Sequence, residues 1–120
     1  DEWNTKRNSI AKYYDEKLDN KKYKKMELSR DNHNVYHMYI IQAENRDKLT
    51  KKLDEAEIAY GIYYPVPLHL QKVYKDLGYK EGDLPNAEYL SKRTLAIPVD
   101  PELTEKEREY IVNFLNNLEL

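Results

Sequence analysis

Four apolar or aromatic residues near the start of the chain recur at three- and four-residue spacings: Ile10, Tyr13, Tyr14 and Leu18. This spacing predicts one buried face of a helix that runs from Trp3 to about Asn20. Asn4 and Thr5 are of the residue types that cap the start of a helix. The stretch from Asp19 to Asn34 has no periodicity and is rich in Lys, Asn and Asp, so we predict a connector there.

Three later segments are predicted to be strands. Val35 to Gln42 is rich in β-branched and aromatic residues and is apolar at nearly every position, which indicates a strand covered on both faces. Ile58 to Tyr64 is the second predicted strand. The third, Leu95 to Ile97, is short because Pro98 stops it.

Helices are predicted between and after these strands. One opens at Asn45 and runs to about Glu57, with Leu49, Leu53 and Ala56 on one face. A short helix from Leu68 to Leu77 ends at Gly78, which suits the left-handed position after a helix. Asn86 to Arg93 is a further helix, and Pro85 before it fits the preference of proline for helix starts.

Thr104 and Glu107 have the spacing of a capping box, which opens a last helix that runs to about Asn117. Its predicted buried face consists of Tyr110, Ile111, Phe114, Leu115 and Leu118. Three strands separated by helices predict an α+β fold, in which helices cover a small sheet.

Length, charge and amino-acid composition exclude several classes of function. The 120 residues suit one domain, and a net charge of −2 gives no field that would gather nucleic acid or an anionic membrane. No run is long and apolar enough to span a bilayer, and there is no signal-peptide pattern, so we expect a cytoplasmic protein by default. Cysteine is absent, which excludes disulfides and thiolate chemistry. Twelve tyrosines against one Phe favour a small domain that packs on something else, although a thin core also explains them.

The segment from Tyr63 to Gln71, here called the Pro loop, carries the densest candidate chemistry. Pro65 and Pro67 fix their own φ angles and hold the residues before them extended. Tyrosine hydroxyls and the imidazole of His69, which titrates near neutral pH, are groups that bind ligands. The loop is therefore open to two interpretations. It is either part of a binding site or a rigid corner between a strand and a helix, stabilised by aromatic packing.

Other candidate chemistry is sparse. The cluster from Lys21 to Lys25 reads as a solvated charged turn rather than a phosphate site. His37 and His69 lack the further ligands that zinc needs, so we predict no metal site and interpret His37 as a hydrogen-bonded core imidazole. No phosphate-binding glycine motif, HExxH motif or nucleophile elbow occurs, and no catalytic residue is predicted.

A series of motifs follows the order found in one known family. From nearly end to end, the chain resembles the C-terminal small domain of the DegT/StrS family of pyridoxal-phosphate-dependent sugar-nucleotide aminotransferases. The motifs are Trp3-Asn4 with Arg7, Ile10-Ala11 and Tyr14; Val35 to Tyr39; Tyr64 to Gln71; Leu77 to Tyr79; Gly82-Asp83; Pro85 to Glu88; Leu95 with Pro98; and Pro101 to Thr104.

The resemblance implies a domain division and an activity. Residues 1–34 would be the connecting helix and linker from a missing large domain, and residues 35–120 the C-terminal small domain of a fold-type I aminotransferase, with a mostly antiparallel sheet. The parent enzyme would move an amino group, typically from glutamate, to a keto-sugar nucleotide in cell-surface polysaccharide or amino-sugar biosynthesis. It would use pyridoxal phosphate and form a homodimer.

The family's Schiff-base lysine and cofactor-binding residues belong to the large domain, so this chain alone is expected to bind no cofactor and to be inactive. Tyr64, His69 and Tyr63 are the residues that the resemblance places near the substrate. The chain departs from the family at Glu57, where Gly is usual, at Tyr63, which is often another polar residue, and at Ala96, which is often Ser. The second departure leaves substrate preference open.

A free-standing interaction module without catalysis is the alternative from another class. Its Tyr-rich surface would bind a protein or a ligand. The absence of an initiator Met favours the fragment interpretation over this one. A nucleic-acid binder is disfavoured by the charge balance.

Overall fold

The computed structural model describes residues 1–29 and 32–120, so two residues of the predicted connector and linker, 30 and 31, lie outside it. The helices are α1 (Glu2–Lys17), α2 (Arg46–Glu55), α3 (Pro85–Arg93) and α4 (Glu105–Asn117). The strands are β1 (Lys24–Lys25), β2 (Tyr39–Gln42) and β3 (Thr94–Ile97). Two 3-10 helices cover Leu68–Leu70 and Lys72–Leu77.

The three strands form one antiparallel sheet in the order β1-β2-β3. Tyr39 pairs with Ile97 and Gln42 with Thr94. Helices flank this sheet, which confirms the predicted α+β fold with a small antiparallel sheet of three strands.

The identity of the strands differs from the prediction. Ile58 to Tyr64 is not a strand: Gly61 alone pairs with Ala96, through N–H···O bonds of 3.0 and 2.7 Å in the two directions. The two prolines that follow remove the donors that a longer ladder would need. The third strand is instead β1, inside the segment predicted to be a connector. A strand of two residues is too short to show the alternation of apolar and polar residues by which strands are predicted from sequence.

The predicted strand Val35 to Gln42 is shorter in the structure and is covered differently. Tyr36 has a φ of +48°, which is incompatible with extended backbone, and β2 begins only at Tyr39. Along β2, buried and half-buried residues alternate, so one face meets the core and the other is only partly covered. The prediction that both faces are covered was therefore wrong.

The core lies between the sheet and helices α1, α2 and α4. Tyr14, Tyr23 and Leu115 are among its fully buried side chains. The Tyr23 hydroxyl donates to the backbone carbonyl of Leu115 at 2.7 Å, and that of Tyr14 donates to the carbonyl of Pro98 at 2.7 Å. Both hydroxyls thus have the partners that buried polar groups need. Burial raises the pKa of Tyr23 to about 12.

Helix α1 has the predicted apolar face, with Ile10 and Tyr14 buried and Tyr13 half-buried, and Leu18, which directly follows the helix, is buried too. Its predicted cap was wrong, because Asp1 is the residue at the N-cap position and makes no side-chain capping bond. Asn4 and Thr5 lie inside the first turn, where the Thr5 hydroxyl donates to the carbonyl of Asp1.

Helices α2 and α4 begin as predicted. The Asn45 side chain accepts a bond from the Lys48 amide, and Thr104 and Glu107 form the complete capping box. Within α4, Ile111 and Leu115 are buried, while Phe114 and Leu118 are half-buried. Tyr110 is exposed, so its predicted burial was wrong. Val112 is buried in its place, which shifts the apolar face of the helix by a fraction of a turn.

The predicted helix from Leu68 to Leu77 is two successive 3-10 helices, although Gly78 ends it in the left-handed conformation as expected, with a φ of +79°. At the end of α2, Glu57 has a φ of +55°. A residue with a Cβ therefore occupies the left-handed position, as expected where the family usually has Gly. In the described part of the chain, no helix is long and apolar enough to cross a membrane.

Candidate functional site

The Pro loop begins two residues after Gly61, where the chain leaves the edge of the sheet. The ring of Tyr63 folds back over this glycine, and a Cβ on Gly61 would come within 2.5 Å of Tyr63 Cε2. Real Cβ atoms do not approach other atoms so closely, so the absence of a side chain at Gly61 permits the position of the tyrosine ring. Gly61 thus positions Tyr63 although it carries no chemistry of its own.

Tyr63 and Tyr64 present their rings to the outside. Tyr64 is 65% exposed and Tyr63 is 50% exposed, and the two rings meet edge to face with their centroids 5.8 Å apart. A shallow cavity of about 120 Å³ lies beside them, bounded by Val66 and Leu68 of the loop and by the outer face of α3. The two hydroxyls are therefore available to a ligand or to a neighbouring protein surface.

His69 faces the other way, into the protein. It is 7% exposed, and its Nε2 lies 2.9 Å from Oε1 of Glu88 on α3. The ring also packs edge-on to Tyr79, with 6.2 Å between centroids. One ring nitrogen is thus occupied by a carboxylate within the same chain, so this structure places His69 apart from the exposed Tyr63 and Tyr64.

Glu88 is the buried partner of His69, and the sequence interpretation did not single it out. Its carboxylate accepts bonds from the backbone N–H of Gly82 at 2.9 and 3.0 Å and from that of Leu84 at 3.4 Å, besides its contact with His69. The hydrogen bonds from His69 and Gly82 hold the pKa of the Glu88 carboxyl below its usual range. The motif Pro85 to Glu88 was visible in the sequence, but the partner of its glutamate was not.

The His69–Glu88 pair therefore joins three segments: the Pro loop, the turn around Gly82 and helix α3. Gly82 has a φ of +93°, which the turn needs in order to aim its N–H at the carboxylate. A buried carboxylate with several donors is rigid because each lost bond would leave a polar group without a partner. The pair anchors the end of the Pro loop at His69.

Neither His37 nor the cluster from Lys21 to Lys25 forms a ligand site by itself in the described part of the chain. His37 is exposed, so its interpretation as a core imidazole was wrong. Residues 1–29 and 32–120 contain no group of three His, Asp or Glu side chains placed to hold a metal ion. In the lysine cluster, Lys22 is half-buried and its Nζ donates to the carbonyls of Asn116 and Leu118 at the end of α4, so this residue is part of the fold rather than solvated.

The chain does not fit pyridoxal phosphate by itself. That cofactor is held through a Schiff base to a lysine whose amine is activated by desolvation or by a neighbouring cation. Every lysine of the chain is exposed or half-exposed, and the one with the most partners, Lys22, is bound to backbone carbonyls. We therefore assign no lysine of this chain to the cofactor.

Comparison with known proteins identifies the family. The model of the DegT/DnrJ/EryC1/StrS aminotransferase family matches residues 1–116, and the chain belongs to this family. The structure of S. venezuelae DesV in complex with a ketimine intermediate superimposes with a TM-score of 0.90 at 29% identity, over 95% of this chain and 31% of that one.

Two curated relatives show how much of a family member the chain represents. A pleiotropic regulatory protein of Geobacillus stearothermophilus is 50% identical over 67% of this chain and 22% of its own length. The dTDP-3-amino-3,6-dideoxy-alpha-D-galactopyranose transaminase of Aneurinibacillus thermoaerophilus is 28% identical over 97% of this chain and 31% of its own length. The chain thus spans less than a third of the length of these relatives.

Proposed function

We propose that the chain is the C-terminal part of an aminotransferase that moves an amino group, typically from glutamate, to a keto-sugar nucleotide. The observation that carries this proposal is the family match over residues 1–116. The names of the relatives support the substrate class, since one is a transaminase of a dTDP-linked amino sugar. Cell-surface polysaccharide or amino-sugar biosynthesis is the corresponding process, and the cytoplasm is the proposed compartment.

In the proposed enzyme, pyridoxal phosphate supplies the carbanion chemistry, and its lysine lies in the large domain, outside residues 1–120. The large domain and a second copy of the enzyme are the proposed partners of this chain. The isolated chain is proposed to be inactive. The division at residue 34 is retained as a proposal. It separates two parts that share one core, since Ile10 and Tyr14 of α1 pack in the same cluster as Leu95 of the sheet.

The residues of this chain act by shaping one wall of the substrate cleft. Tyr64, with its exposed hydroxyl, is proposed to donate a hydrogen bond to the sugar nucleotide, and Tyr63 to contact the sugar beside it. His69 is proposed to act through Glu88 by fixing the loop, rather than by meeting an anionic group of the substrate. Because the loop is fixed, two exposed tyrosines can orient the substrate with little further loss of conformational entropy in the protein.

The proposal is tested in the full-length protein that contains this chain, with glutamate and a dTDP-linked keto sugar, by measuring 2-oxoglutarate. We expect Tyr64→Phe to reduce kcat/KM roughly tenfold, as expected for one lost hydrogen bond that acts in the transition state. Tyr110→Phe, which removes the hydroxyl of an exposed tyrosine outside the Pro loop, is the matched control. An unchanged kcat/KM in Tyr64→Phe would reject the assignment of Tyr64.

A free-standing interaction module remains the second candidate. The many exposed apolar side chains favour it. Under this alternative the full-length protein would not release 2-oxoglutarate from glutamate with any dTDP- or UDP-linked keto sugar.

A further inference from the structure

A cavity of about 830 Å³, here called the basic cavity, lies where four separate parts of the chain meet. These parts are the turn after α1 with strand β1, the end of β2 with the start of α2, helix α3, and the residues after α4. The charged residues of its lining are four cations and two carboxylates: Lys21, Lys22, Lys24, Arg93, Glu44 and Glu119. Because the whole chain carries a net charge of −2, this local excess of positive charge is not a general property of its surface.

Arg93 gives the basic cavity a chemical preference. Its side chain is 27% exposed, and within residues 1–29 and 32–120 its buried Nε has no hydrogen-bond partner. The carboxylate of Glu44 lies 3.9 Å from its Nη2, which is too far for a hydrogen bond, and the Glu44 side chain is 90% exposed. A buried donor without a partner indicates a group that comes from outside the chain. Oxyanions are the partners that a guanidinium binds most strongly, often through two parallel N–H···O bonds.

Tyr89 holds the guanidinium of Arg93 from one side. The Cζ atom of Arg93 lies 4.9 Å from the centroid of the Tyr89 ring, four residues earlier on α3. A guanidinium that lies over an aromatic ring keeps the N–H donors at its edge available to other partners. The ring therefore restrains the cation without neutralising it.

The three lysines of the lining add positive charge from the other side of the cavity. Lys21 and Lys24 are exposed, whereas Lys22 is half-buried and its Nζ donates to the carbonyls of Asn116 and Leu118. Neutral carbonyl partners leave the full charge of Lys22 beside the cavity. Asn45, which caps α2, also lines the cavity, so the positive end of that helix dipole adjoins the same space.

We propose that the basic cavity binds a phosphate group, with Arg93 as its main ligand and with Lys21 and Lys24 as further ligands. Four cations against two carboxylates leave an excess of two positive charges, which matches a phosphate dianion better than a single carboxylate. Free phosphate and a phosphate carried by a nucleotide share this chemistry, and the experiment below separates them. The inference does not depend on the proposed function, because no residue of the Pro loop lines this cavity.

The test uses the full-length protein that contains this chain and measures, by mass spectrometry, how fast its lysines are acetylated by N-hydroxysuccinimide acetate. Inorganic phosphate is compared with chloride at equal ionic strength, so that screening is the same in both solutions. We expect phosphate to slow the acetylation of Lys21 and Lys24 roughly threefold, because a bound anion covers their amines and favours the protonated form. Lys51 of α2, which is exposed and outside the lining, is the internal control.

Two substitutions on α3 form a matched pair. Arg93→Gln removes the proposed main ligand, and Lys92→Gln removes one positive charge from the next residue, which is exposed and outside the lining. We expect Arg93→Gln to raise the phosphate concentration for half-maximal protection roughly tenfold, and Lys92→Gln to change it less than about twofold. Lys21→Gln changes an exposed position without touching the packing of α3, and it should weaken the protection of Lys24.

A parallel series with uridine diphosphate in place of inorganic phosphate identifies the source of the group. Protection by inorganic phosphate that weakens in Arg93→Gln supports a site for free phosphate, and such protection by uridine diphosphate alone supports a site for a nucleotide. No protection by either anion, protection that is equal at Lys51, or equal protection in wild type and Arg93→Gln would overturn the inference. If Arg93→Gln does not fold, unchanged protection of Lys24 in Lys21→Gln overturns it instead.

Discussion

The imidazole Nε2 of His69 lies 2.9 Å from the carboxylate Oε1 of Glu88, 19 residues further along the chain, and both side chains are buried. This pair connects the Pro loop to helix α3. Because Glu88 also accepts the N–H of Gly82, one carboxylate contacts both residue 69 and residue 82 of the chain. The end of the Pro loop at His69 is therefore tied to helix α3 and to the turn around Gly82.

The first prediction concerns this contact. We expect His69→Ala to increase tryptic cleavage after Lys72, Lys75 and Lys80 by roughly fivefold, because the lost hydrogen bond raises the population of locally open states. Limited proteolysis followed by mass spectrometry measures it, and cleavage after Lys51 in α2 is the internal control. Equal cleavage of wild type and variant at these three lysines would show that the pair does not hold the loop.

The second prediction is a pH dependence. The pKa of Glu88 is lowered from its ordinary value of 4.5, chiefly by the hydrogen bond from His69 and then by that from Gly82. A group whose pKa is lower in the folded state contributes stability above 4.5 and loses it as the pH falls through the folded value. We expect the urea midpoint of Glu88→Gln to fall less steeply below pH 4.5 than that of wild type. Parallel pH profiles would contradict the assignment.

The third prediction concerns the left-handed residue at the end of α2. Glu57→Gly should raise the free energy of unfolding by about 0.5–1 kcal/mol, since it removes a Cβ penalty of about 1–2 kcal/mol and adds the smaller entropic cost of glycine. Glu57→Ala keeps the Cβ and should bring no gain. Urea unfolding of both variants measures these free energies. A loss of stability in Glu57→Gly would show that the Cβ of Glu57 does not strain the left-handed position.

The fourth prediction concerns the buried tyrosine hydroxyls. Tyr23→Phe leaves the carbonyl of Leu115 without its partner, so we expect a loss of about 1–3 kcal/mol. Tyr60→Phe removes a hydroxyl that meets Asp54 at the surface, at 3.2 Å, and should cost less than about 0.5 kcal/mol. Equal effects of the two substitutions in urea unfolding would mean that the bond from Tyr23 does not support α4.

The fifth prediction concerns Gly61. A methyl group there has to displace the Tyr63 ring, so we expect Gly61→Ala to cost about 0.5–1.5 kcal/mol through an unfavourable rotamer. In a double-mutant cycle the cost should disappear when Tyr63 is already Ala. If Gly61→Ala costs the same in the presence and absence of the Tyr63 ring, the strain lies in the backbone instead.

Local signals in the sequence predicted much of the fold. The capping box at Thr104, the cap at Asn45 and the left-handed Gly78 each depend on residues close in sequence, and all three are present in the structure. The helical face of α1 followed in the same way from its period. These features need no knowledge of distant segments, which is why they were accessible.

Features set by distant segments were not accessible. Strand β1 exists because β2 pairs with Lys24 and Lys25, and the expected strand before the Pro loop is reduced to Gly61 because prolines follow it. The same limit applies to the candidate site. His69 was singled out for its chemistry, but its buried partner Glu88 lies on another element, and no local pattern indicates that they meet.

The most direct test of the proposed function is amino transfer by the full-length protein that contains this chain. Purified protein loaded with pyridoxal phosphate is incubated with glutamate and dTDP- or UDP-linked keto sugars, and the amino-sugar product and 2-oxoglutarate are measured together. We predict equal amounts of both products with at least one keto sugar, and none from the 120-residue chain. A folded, cofactor-loaded protein that forms neither product with any of these sugars would contradict the account.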